Sequence, residues 1–130
     1  MMLRLGALLL LLCSTFSHAN SSQPMIGYYG LEPEIVTNYV NSGRRLGFIR
    51  IGVDLMLKDA TQMSVIEYHA PLIRSSIIDI LGQQPAERIK STTGREEIRT
   101  HILEELSATL KQQTGQDMIA GLLFTKYIYE

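Results

Sequence analysis

An α+β fold, an antiparallel sheet with two helices on one face, follows from three features of the chain. Residues 44–58 alternate apolar and polar, residues 59–81 and 93–111 place apolar residues at helical spacing, and residues 118–129 return to a run rich in β-formers. The resulting order is β-β-α-α-β, with room for a further short strand at the start, and helices laid on one sheet face satisfy it. The 130 residues suit one small domain, and 45% hydrophobic with 19% charged residues excludes a disordered or low-complexity chain.

The N-terminus reads as an address. Residues 1–4 carry one positive charge, at Arg4, and residues 5–13 are an apolar run holding five consecutive leucines. Ser17 and Ala19 then stand three and one residues before a peptidase cut. Residues 1–19 are therefore expected to be a signal peptide or a short N-terminal membrane segment, and residues 20–130 a single domain in an oxidising compartment. A spanning helix needs about 20 apolar residues, more than this run supplies. Cys13, the one cysteine, leaves with the leader, so no internal disulfide or multi-thiolate zinc site is expected.

After a polar leader at residues 20–24, residues 25–31 and 35–40 are rich in Tyr, Ile and Val and read as short extended segments. Glu32-Pro33-Glu34 separates them, which suits an edge strand or bulge. Asn41-Ser42-Gly43 is a turn signal and predicts a hairpin with the next strand. That strand shows one apolar face, Ile49, Ile51, Val53, Leu55 and Leu57.

Asp59 or Thr61 can cap a helix that buries Val65, Ile66, Leu72, Ile73, Ile77, Ile80 and Leu81. Pro71 has no amide hydrogen and predicts a kink or restart within it. Gly82 suits the exit, and residues 83–92 read as a polar connection. Thr93 and Glu96 match a capping box, opening a helix whose stripe is Ile98, Ile102, Leu106 and Leu110, flanked by Leu103. Thr114-Gly115 closes it. Residues 118–129 are apolar on both faces, as in a strand buried on both sides.

Few residues suggest chemistry. Glu97, His101 and Glu105 share a helix face at metal-ligand spacing, but carboxylates flanking a histidine on a solvated helix are the commoner arrangement. Glu67 and His69, two apart, do not face each other on a helix. Neither a nucleophile elbow nor a phosphate-cradling glycine loop is present. No catalytic, cofactor-binding or metal residue is assigned, and no enzyme activity or cofactor is expected. Arg44, Arg45 and Arg50 cluster on the hairpin, where such charges solvate an edge strand and block edge pairing, or meet anionic head groups or an acidic partner. Twelve basic residues against thirteen acidic give a net charge of -1 and no footprint for nucleic acid.

Five segments in order resemble the FliL family of flagellar basal-body-associated proteins. They are Tyr29-Gly30-Leu31-Glu32-Pro33 with Val36-Thr37-Asn38-Tyr39, the strand at residues 46–57, Pro71 with Ile73-Arg74 and Ile77-Ile78, Gly94-Arg95-Glu96, and residues 123–128. The similarity runs from about Tyr28 to Glu130. It implies a stomatin-like fold in a non-enzymatic protein on the periplasmic side of the inner membrane, at the flagellar basal body. It further implies self-association, contact with the stator units, and support of motor function in swimming or swarming motility and chemotaxis. Family members usually keep an N-terminal anchor, Leu where Tyr39 stands and an acidic residue where Lys126 stands, so this chain departs at three points. The alternative expectation is a soluble periplasmic domain of the same fold that binds a small molecule or lipid in an apolar pocket.

Overall fold

A computed structural model describes residues 22–43 and 45–130. The leader at residues 1–19 and Arg44 lie outside the described residues. Among the described residues are four strands, β1 (Gly27–Gly30), β2 (Ile35–Val40), β3 (Leu46–Leu57) and β4 (Ile119–Tyr129). Between β3 and β4 come α1 (Met63–Tyr68), α2 (Ala70–Gly82), α3 (Ala86–Lys90) and α4 (Thr92–Thr114). All strand pairs are antiparallel, and each involves β3. The fold is thus the expected α+β class.

Because β4 pairs with β3 from Ile49 to Leu57, β1 and β2 must share the opposite edge of β3. They form one interrupted strand. Gly30 faces Asp54 and Ile35 faces Ile51, so five steps along the edge match three along β3. Glu32 and Pro33, joined by a cis peptide, fill the excess, while the Leu31 N–H still donates to the Val53 carbonyl at 2.9 Å. Proline has no amide to offer the ladder, so a bulge at an edge tolerates it. The turn places Gly43 at φ 81°, and β2 and β3 then pair from Val40–Leu46 onward as the predicted hairpin.

One layer of helices covers one face of this sheet. Ile49, Ile51, Val53, Leu55 and Leu57 of β3 are buried against Ile66, Ile73, Ile77 and Leu81 of the first helical segment and Ile98, Ile102, Leu106 and Leu110 of α4. The predicted α4 stripe and most of the first one therefore form the core, but Leu72 is exposed and Val65 and Ile80 are only partly buried. Pro71 lies in the first turn of α2, where its missing amide hydrogen costs no helical bond. The helix restarts there as predicted, with the Ile73 N–H donating to the His69 carbonyl at 3.0 Å. The Thr61 hydroxyl and then its N–H donate to the Asp59 carboxylate, which holds that carboxyl below the usual range, and the N–H bond caps a short 3-10 turn at Ala60–Gln62. α4 ends in Gly115, left-handed at φ 77°, whose N–H donates to the Lys111 carbonyl.

Three expectations need correction. Residues 83–92 hold a helix, α3, whose Ala86 and Ile89 enter the core. Two apolar residues in five leave too little periodicity to announce it. The α4 cap is Ser91, whose Oγ accepts from the Gly94 N–H at 2.9 Å, while Glu96 turns to Arg99 instead of closing a box at Thr93. Finally, β4 is an edge strand covered on one face only. Ile119 and Leu122 are buried, but Leu123 and Ile128 are exposed. Its apolar outward residues belong to the open side of the sheet.

Candidate interaction surface

The side of the sheet away from the helices has no covering layer among the described residues. An antiparallel sheet wetted on one face ordinarily shows polar residues there. Here the register builds rows that are largely apolar. Val36, Arg50 and Ile128 are neighbours across three strands, as are Val40 and Leu46 on two, and Tyr28, Met56 and Gly121 at the other end. Phe48 stands between Asn38 and Glu130, bonded to Glu130 through both backbone groups. Val36 is 57% exposed, Leu46 63%, Phe48 53% and Ile128 52%. Val36, Phe48, Arg50, Ile128 and Glu130 line a shallow groove in the middle of this surface.

Charges rim the patch. Glu34 ion-pairs with Lys126 and lies 3.9 Å from Arg50 Nε. The Glu34 and Glu130 carboxylates balance Arg50 and Lys126 around the centre of the face, and Arg45 adds a positive charge at the hairpin. Of the predicted basic cluster, Arg50 therefore sits on the open apolar face itself, flanked by Val36 and Ile128. Isolated exposed apolar residues need no explanation, but a contiguous patch rimmed by polar groups marks an interaction surface. The sequence signal was present in the outward phase of β3, where Leu46, Phe48 and Met56 occupy positions that a wetted strand would give to polar residues.

Of the other candidates, Glu97 and His101 share an open groove along α4. Glu97 accepts from Arg88 Nη2 at 2.8 Å, and His101 Nε2 lies 3.8 Å from Glu105 Oε1. All three residues are exposed on α4, Glu97 paired with Arg88 and His101 lying beside Glu105. Among the described residues no group of three His, Cys, Asp or Glu is placed to hold a metal ion. Glu67 is exposed, whereas the His69 Nδ1–H donates to the Val65 carbonyl at 2.8 Å, so the two side chains are not brought together. No described helix is long and apolar enough to cross a membrane.

The comparison with known families meets this architecture directly. The family model described as "Flagellar basal body-associated protein FliL" matches residues 28–129, from β1 to the end of β4. The chain belongs to the FliL family. A curated relative, "Flagellar protein FliL" of Aquifex aeolicus (strain VF5), is 21% identical over 108 residues. That alignment covers 82% of this chain and 64% of the relative's length. The FliL match includes all but the first residue of the strands and both long core helices, so the open face, apart from Glu130 at its edge, lies within the shared domain.

Proposed function

We propose that this FliL-family chain is a non-enzymatic, basal-body-associated protein that supports the stator units of the flagellar motor in swimming or swarming. The observation that carries this reading is the open apolar sheet face within the family domain. In it, residues 1–19 serve as leader or short anchor, and residues 20–130 form a single domain on the periplasmic side of the inner membrane. The domain self-associates and touches flagellar partners through Val36, Phe48 and Ile128, with Arg50 and Lys126 setting orientation. Binding then favours the active stator conformation over the idle one, which requires a higher affinity for the active form.

A clean deletion of the gene, complemented in trans, tests this. Slower swimming or swarming with flagella still assembled supports a role at the motor, and unchanged speed in both assays defeats it. The small-molecule or lipid alternative has less behind it. The grooves among the described residues are shallow and open, whereas such ligands favour enclosed apolar sites.

A further inference from the structure

A second concave site lies on the opposite side of the molecule from the open sheet face. The inward phase of β4 brings Tyr127 and Tyr129 beneath the corner where α3 meets α4, and a cleft opens between them. Ile89, Lys90, Ser91, Thr92 and Arg95 complete its lining. Among the described residues neither Lys90 nor Arg95 has an ion-pair partner, although most nearby charges do. Arg95 instead stands over the Tyr127 ring, its guanidinium carbon 5.5 Å from the centroid.

The walls of this cleft are fixed. The Tyr127 hydroxyl donates to the Ile89 carbonyl at 2.8 Å, tying β4 to α3. α3 and α4 approach so closely that a Cβ at Gly94 would fall 2.1 Å from the Arg88 carbonyl oxygen. The two tyrosine rings meet edge to face at 6.1 Å. A site whose shape exists before binding spends little on ordering when the ligand arrives.

The geometry points to a binding site for an acidic saccharide, a sugar ring bearing a carboxylate. Two unpaired cations on separate elements supply charge-assisted hydrogen bonds to the carboxylate. Exposed hydroxyls of Ser91, Thr92 and Tyr129 can donate to and accept from ring hydroxyls. The Tyr129 ring offers an electron-rich face to the weakly positive C–H groups of a sugar. A bare inorganic anion would use the cations and leave the aromatic wall idle. A polynucleotide would use both, but the chain's net charge of -1 supplies no wider basic surface to hold one. This inference does not depend on the sheet face or on a motor role.

The test is titration of the purified full chain with a galacturonic acid trisaccharide, followed by calorimetry and tyrosine fluorescence. Maltotriose, inorganic phosphate and a short oligothymidylate serve as comparison ligands. Saturable binding of the acidic trisaccharide alone is expected, weakened about tenfold by Lys90→Gln and by Arg95→Gln, the scale of one charge-assisted hydrogen bond. Lys111→Gln, at the far end of α4, should leave it unchanged. Lys90 and Arg95 are exposed, so both variants should fold, and unchanged circular dichroism melts verify that. No saturable binding overturns the proposal. So does equal affinity for maltotriose or phosphate, tighter binding of the oligonucleotide, or binding insensitive to both substitutions.

Discussion

The ring of Tyr39 occupies the space that a side chain at Gly47 would need. A Cβ there would stand 2.1 Å from Tyr39 Cζ. The two residues are partners across β2 and β3, and the Tyr39 hydroxyl continues past Gly47 to donate to the Glu130 carbonyl at 2.7 Å. One buried side chain thus links all three columns of the sheet at its hairpin end. Gly47→Ala should therefore displace the ring and cost about 2–3 kcal/mol, in the range of overpacked cores. Tyr39→Phe keeps the ring and loses the bond, for about 1 kcal/mol. Urea denaturation should rank the two in that order, and equal midpoints for Gly47→Ala and wild type would contradict the packing.

Ile102 is fully buried in the middle of the α4 stripe. Ile102→Asp places a carboxylate there with no partner, and the loss should exceed about 4 kcal/mol, enough to unfold a small domain. Thermal unfolding followed by circular dichroism checks this, and an unchanged midpoint would refute the core assignment.

The open face should behave in the opposite way. Phe48→Glu replaces an exposed ring, so the melting temperature should stay within a few degrees of wild type. Swimming and swarming should nevertheless drop toward the deletion level, because the substitution puts a charge in the centre of the proposed contact. Full motility with normal protein levels would remove this face from the functional reading.

His69 and His101 have structural surroundings, a backbone carbonyl for one and a surface carboxylate for the other. His69→Ala should cost about 1 kcal/mol and His101→Ala less than about 0.5 kcal/mol. Motility should survive both. Loss of motility in a folded His101→Ala protein would bring back a chemical role for that residue.

Burial pushes the Tyr127 hydroxyl up to about 12 from its ordinary 10.0, partly opposed by the Arg95 charge. The folded state therefore holds this proton more tightly than the unfolded chain. Stability from the neutral phenol is complete below pH 10 and declines as pH rises from about 10 toward 12. Tyr127→Phe should flatten that decline, and the alkaline phenolate absorbance titration should lose one late component near 12. An identical titration in the variant would contradict the assignment.

Much of this architecture can be read in the chain because burial acts on period. Ile49 through Leu57 alternate because one face of β3 meets helices, and Ile98 through Leu110 recur by turns because one face of α4 meets that sheet. The same logic misreads β4. Leu123 and Ile128 look like core residues, since hydrophobicity alone does not distinguish a second core from an uncovered surface. α3 escapes for a different reason, as Ala86 and Ile89 become buried only when the helix packs against α4 and β2. The cleft at Lys90 and Tyr129 joins residues far apart in sequence, so no local motif could reveal it.

The central position of β3 also sets the order in which the molecule can assemble. Its hairpin with β2 is local and forms early, but its other edge stays unsatisfied until β4 arrives, after all four helices have been made. A nascent chain halted anywhere before Ile119 therefore exposes the whole length of β3 along one side and cannot close its core. Loss of β4 therefore strips one edge of β3 and takes Ile119 and Leu122 from the core, so truncation within β4 is as damaging as a break in the middle.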